Sequence, residues 1–149
     1  MTLKEEIYKR CLQLINDRIS FLQKALHDLT ESAGNETKST AGDKHETALA
    51  MLQIEQENTG RQLKDALANK LVLNQINIHH TSTSIVWGSL VKTNKGYLFI
   101  SIALGKIFLD QTTVFALSAQ SPLGKKLLGL KVNDSAEING TMYFIESIA

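Results

Sequence analysis

Tyr8, Leu12, Ile15, Ile19, Leu22, Leu26 and Leu29 recur at alternating spacings of four and three residues. A helix with that rhythm carries one narrow apolar seam, and the seam needs a second helix to cover it. The chain supplies the second helix itself. Residues 32–42 are rich in Ser, Thr, Gly and Asn and break the pattern, and helix-favouring sequence resumes from Asp43 to about Leu73. The first half is therefore expected to be an antiparallel coiled-coil hairpin over residues 1–74 with an exposed tip. On the second arm Leu49, Leu52, Leu63, Ala66, Leu67 and Leu71 are placed to face the seam. Between them, Gln53 to Gln62 is polar apart from Ile54 and contains Gly60, a residue that costs about 1 kcal/mol relative to alanine inside a helix. Arms of this length extend roughly 40 Å at 1.5 Å per residue.

After Leu73 the composition changes. Residues 75–84 form a polar linker that includes His79-His80, and β-type segments follow at 85–93, 97–103, 113–117, 135–138 and 141–148. Asn94-Lys95-Gly96 and Asn139-Gly140 are hairpin-turn signals. Ser121-Pro122-Leu123-Gly124-Lys125-Lys126-Leu127-Leu128-Gly129 has an N-cap candidate, a first-turn proline and a closing glycine, which predicts one short helix. The expected class is α+β: a helical hairpin (1–74), a linker (75–84) and a small antiparallel sheet domain with one short helix (85–149).

Composition narrows the partners. No apolar run approaches the roughly 20 residues that cross a bilayer. The first ten residues are charged and lack the apolar stretch of a secretory signal. Cys11 is the only cysteine, which excludes an internal disulfide and suits a reducing cytoplasm; beside the seam it reads as a small buried apolar residue. Up to Asn74 there are 10 Lys and Arg against 11 Asp and Glu, and beyond it 6 against 4. Neither half has the basic excess of a free-standing nucleic-acid binder, so the expected partner is a protein.

Chemistry, if the chain carries any, is expected at the tip. In Gly42-Asp43-Lys44-His45-Glu46, Asp43 and Glu46 stand three apart and share one helix face. An Asp at the N-cap with Glu at the third helical position is also the pattern of a capping box, suited to the positive end of the helix dipole. The alternative uses the same carboxylates as ligands of a hard cation. Mg²⁺ takes one or two protein carboxylates and fills its other positions with water or phosphate, so two tip acids can complete a site supplied mostly by another protein. His79-His80 points to opposite sides of an extended linker and has no neighbouring ligand in the sequence, which favours a solvated role.

With these segments in view the chain resembles the Gre-type transcription elongation factors of bacteria. Their hairpin tip reads roughly G-D-L-S-E-N-A, and Gly42-Asp43-Lys44-His45-Glu46-Thr47-Ala48 keeps its Gly, Asp, Glu and Ala in register. Their C-terminal domain carries S-P-L-G-x-A-L-L-G-K-x-V-G-D, which residues 121–134 match closely, followed by Tyr143-Phe144-Ile145-Glu146-Ser147-Ile148. The resemblance implies an FKBP-like C-terminal domain that docks on RNA polymerase, and a hairpin that enters the secondary channel. There Asp43 and Glu46 would help hold an Mg²⁺ shared with the polymerase, which itself cleaves the 3′ end of a backtracked transcript. The factor would have no cofactor of its own and would meet RNA and DNA only through the elongation complex. It would act as a cytoplasmic, membrane-independent monomer and not as an enzyme.

The departures bear on this reading. Lys44, His45 and Thr47 replace an apolar residue, a serine and an asparagine, and Ala50 replaces a tip aromatic. Lys44 and His45 bring positive charge beside the carboxylates, where it weakens metal binding or contacts RNA phosphates. Lys126, Leu130 and Asn133 replace Ala, Lys and Gly in the second motif. Ser121, Pro122, Leu123 and Gly124 are the expected docking residues, with Lys44 and His45 as tip contacts. The alternatives are a secondary-channel binder that blocks without promoting cleavage, and a coiled-coil adaptor with no polymerase role.

Overall fold

The computed structural model describes residues 1–37 and 43–149, with side chains for residues 1–35 and 45–149. Helix α1 (Leu3–Thr37) begins with a reciprocal cap. The Glu5 N–H donates to Thr2 Oγ1 at 3.1 Å, and the Thr2 N–H donates to Glu5 Oε2 at 3.2 Å. This satisfies a first-turn donor that has no partner within the helix and sets the Glu5 and Glu6 carboxylates at the positive end of the helix dipole. Helix α2 (Asp43–Asn74) follows. After the two long helices come six strands and one short helix, so the expected α+β class is the observed one.

Packing divides the chain into two compact units, residues 13–70 and residues 1–12 with 71–149. In the first, Ile15, Ile19 and Leu22 of α1 are buried, as is Ala66 of α2. Leu26, Leu29, Leu49, Leu52 and Leu63 are half-buried, whereas Leu67 turns outwards. The polar middle of α2 is tied across by Gln56, whose Nε2 donates to Thr30 Oγ1 at 3.3 Å. Space does not demand glycine at position 60, since an added Cβ would meet nothing within 4 Å.

In the second unit the buried line of α1 passes through Ile7 and Cys11, both fully buried, while Tyr8 and Leu12 are only half-buried. A straight helix drifts relative to a strict seven-residue repeat, and here the drift moves the seam by one position. Tyr8 gains a partner by standing beside it: its hydroxyl donates at 2.9 Å to the Leu73 carbonyl, which also accepts the Ile76 N–H at 3.1 Å. Leu73 is fully buried and Leu71, expected in the seam, is exposed.

The sheet contains β1 (Leu90–Thr93), β2 (Gly96–Ser101), β3 (Gly105–Leu109), β4 (Thr112–Ser118), β5 (Ser135–Ile138) and β6 (Thr141–Ile148), with α3 (Pro122–Leu127) between β4 and β5. Its spatial order is β3-β4-β2-β1-β6-β5. The pairings are antiparallel except β2 with β4, which run parallel with Leu98 opposite Phe115, so the sheet is mixed where an antiparallel one was expected. Interposing the β3 hairpin arm turns β4 to run alongside β2. One face packs a cluster containing Val91, Leu98, Ile100, Leu117 and Ile145 against Leu127 of α3. On the other face, Leu90, Phe99, Ile107, Val114 and Ala116 share a side by register and are also buried.

Two strand boundaries depart from expectation. The segment 85–93 yields only Leu90–Thr93, because residues 86–89 form a turn in which the Ser89 N–H donates to the Val86 carbonyl at 3.1 Å and Gly88 adopts φ +90°. A Cβ at Gly88 would also lie 2.6 Å from Ile76 Cγ2, so the residue is bound to be glycine on two counts. Strand β3 is absent from the sequence reading. Its turn, Asp110-Gln111, lacks the glycine that marks a hairpin; Asp110 itself takes φ 49°, a conformation Asp tolerates.

Candidate functional site

Asp43 is the first residue of α2 and Glu46 lies three residues on. Glu46 is exposed and has no hydrogen bond or ion pair among the described residues, while His45 is half-buried. The side chains of Asp43 and Lys44, on which the expected metal and phosphate contacts depend, lie outside the described residues. No group of three or more His, Cys, Asp or Glu among the described residues is arranged to hold a metal. The tip therefore offers a free carboxylate from Glu46, and at most a two-carboxylate contribution with Asp43, short of the ligand number Mg²⁺ needs.

The second constellation is the start of α3. Ser121 is its N-cap: Oγ accepts the Gly124 N–H at 3.0 Å and donates to the Ser118 carbonyl at 2.7 Å. Pro122 occupies the first turn, where the missing N–H costs nothing. Gly124 is buried against the end of β4, and a Cβ there would stand 2.1 Å from the Ser118 carbonyl oxygen. Ser121, Pro122 and Gly124 thus have local structural duties. Pro122 is the exposed member of the set, and Leu123 packs partly against the core cluster. It is half-buried and lines two adjoining hollows with Phe115, of about 530 and 350 Å³. Phe115 is 41% exposed, although a strand aromatic is ordinarily core. Nothing in the local sequence marks it, because its exposure follows from the register that sets β4 beside the β3 edge.

The departures from the second motif have local explanations. Asn133 adopts φ 77°, a left-handed conformation that glycine favours and asparagine tolerates, so the replacement keeps the turn. The turn is held by Asp134, whose Oδ2 accepts the Lys131 N–H at 2.8 Å. Lys126 Nζ donates to the Glu137 carbonyl on β5, and Leu130 packs against the core cluster.

His79 and His80 do not form a metal site with each other. His79 Nδ1 lies 3.9 Å from Glu5 Oε1, and the His80 carbonyl accepts from Lys4 Nζ at 2.9 Å. These partners stand more than 70 positions away in the chain, beyond the range of any local sequence signal. Lys4 is 7% exposed, and its burial lowers the ammonium below its ordinary value of 10.5. Cys11 is buried as expected, and desolvation pushes its thiol up to about 12, so it is not a nucleophile at neutral pH.

No family model and no curated protein matches the chain. Among solved structures, one described as that of the transcription factor Gfh1 is similar, at 19% identity and a TM-score of 0.34, covering 96% of this chain and 91% of that chain.

Proposed function

We propose that this chain is a Gre-like elongation factor: it binds RNA polymerase, passes its hairpin tip into the secondary channel and modulates or stimulates cleavage of backtracked transcripts. The observation that carries the reading is Glu46, exposed near the start of the returning helix, three residues after Asp43 within the Gly42–Ala48 motif. The Glu46 side chain is exposed, so its carboxylate is open to a partner. The Leu123–Phe115 hollows supply an apolar surface for docking beside a motif that resembles the family's. Aromatic and aliphatic anchors of this kind are what protein interfaces use at their centres.

On this reading Asp43 and Glu46 contribute carboxylate oxygens to an ion that the polymerase already holds. Bound magnesium stabilises the attacking and leaving oxygens of phosphodiester hydrolysis. The factor orients and completes that site, and catalysis belongs to the polymerase. Lys44 and His45 favour nearby RNA phosphates over free solution, which is the feature that also suits a blocking factor.

The test is the double substitution Asp43→Asn with Glu46→Gln, compared with the native protein on stalled elongation complexes. The variant is expected to fold and bind polymerase while losing stimulated cleavage. Stimulation that survives the substitution refutes the metal role. A native protein that binds without stimulating cleavage is a channel blocker, and one that does not bind polymerase is an adaptor.

A further inference from the structure

Charge is unevenly spread within the sheet domain. Residues 75–133 hold six lysines and one acid, Asp110, whereas Asp134, Glu137 and Glu146 fall beside or within β5 and β6. The sheet order sets β5 and β6 at one end and β3 and β4 at the other. Lys126 reaches to the acidic end, where its Nζ donates to the Glu137 carbonyl and partly covers the β5 edge. A near-neutral total therefore conceals a basic end, and that open end also displays rings. Lys106 pairs with Phe115 and Phe108 with Thr113, so antiparallel pairing sets these four on one face of the β3–β4 hairpin. All four are exposed, Phe108 at 71% and Phe115 at 41%, while Ile107 and Val114 on the opposite face are buried.

Phe108 and Phe115 are diagonal neighbours across the pair, roughly 7–8 Å apart, which lets each ring carry a separate flat ligand group. Lys106 stands beside Phe115 and lines, with Lys95, a hollow of about 350 Å³ that no acid borders. Protein interfaces are depleted of lysine at their centres, whereas rings alternating with lysines suit a polyanion that carries flat bases. A duplex hides those base faces in its own stack, and a single strand offers them. We infer that the open face of the β3–β4 hairpin binds single-stranded nucleic acid without sequence preference. Two bases stack on Phe108 and Phe115, and Lys106 and Lys95 meet the phosphates. This adds a direct contact to the indirect one implied by the family resemblance, and it does not rest on the polymerase reading.

The test is fluorescence anisotropy of the full chain with labelled oligouridylate and oligothymidylate of about eight nucleotides. Base faces and phosphates are common to RNA and DNA, so both oligomers are expected to bind. The dissociation constant is expected on the order of 0.1 mM at about 50 mM salt. With two phosphate contacts, log K should fall against log salt with a slope of about −1.4, and Lys106→Gln should bring the slope to about −0.7. Phe108→Ala is expected to weaken binding about tenfold, and Phe108→Leu likewise, whereas Phe108→Trp keeps native affinity. Position 108 is exposed, so these variants should melt like the native protein, and the Leu–Trp contrast separates stacking from mere apolar contact. Failure of either oligomer to bind at about 1 mM protein overturns the inference. So does a Phe108→Ala or Phe108→Leu variant that binds like the native protein, or a salt slope indifferent to Lys106→Gln. A glutamate oligomer of the same length that binds as tightly as the nucleic acids also overturns it, and marks the face as a site for an acidic protein.

Discussion

Replacing Gly124 by alanine tests whether the Ser121–Gly124 motif is, before anything else, a structural joint. The added methyl would stand 2.1 Å from the Ser118 carbonyl oxygen and 2.9 Å from Ala119 Cα, both backbone atoms, so the clash cannot be relieved by a side-chain rotation. That carbonyl already accepts from the Ser121 N–H at 3.1 Å and from Ser121 Oγ at 2.7 Å. Overpacking of this kind costs about 1–3 kcal/mol, and displacing the carbonyl weakens two hydrogen bonds worth roughly 1 kcal/mol each. Together these give a loss of about 3 kcal/mol, which for a domain of about 60–100 residues lowers Tm by roughly 12–24 °C. Ser121→Ala removes only the cap and is expected to cost about 1 kcal/mol. Circular dichroism melts, followed in parallel by the fluorescence of Trp87, would measure both; Trp87 shares a hollow with Ala119, Leu128 and Gly129 next to this joint. If Gly124→Ala melts within about 4 °C of the native protein, the joint has slack and the reasoning fails. If it holds, lost polymerase binding in that variant reports a displaced helix, and docking must be probed at exposed Pro122 or at Leu123 instead.

Two further outcomes follow from buried titratable groups. Because burial lowers the Lys4 ammonium, the unfolded chain holds more protons than the folded one between the lowered value and 10.5, and stability rises with pH across that window. Relative to Lys4→Met, the native protein should therefore gain stability as pH climbs towards 10.5, read as the difference in urea midpoints; parallel profiles would contradict this. Cys11, with its thiol pushed up to about 12, should react with a disulfide reagent at pH 8 on the order of a thousandfold more slowly than a free thiol, and react freely once urea unfolds the chain. Fast labelling of the native protein would show that the site opens.

What could be read in advance was what depends on near neighbours. The heptad spacing called for a helical partner, the Ser121-Pro122 pair announced the start of α3, and Asn139-Gly140 marked the turn in which both residues take positive φ, 50° and 80°. Glu46 was recognisable as a tip acid for the same reason, since helix periodicity is local. Ile7 and Cys11 were missed as the buried line because small drifts of a helix against its repeat accumulate over several turns, and the partner decides where the seam lands.

The chain order of residues alone determined the hairpin, the α+β class and the position of an exposed acid, Glu46, near the start of the second helix. Tertiary structure decided the rest: the parallel pairing of β2 with β4, the exposure of Phe115 and Phe108, the burial of Lys4 under the His80 carbonyl, and the contrast between a covered β5 edge and an open β3 edge. The physical reason is range. Caps, turns and periodicity are set by residues within about four positions of one another, whereas an edge or a buried charge is defined by segments that meet only after the chain has closed on itself.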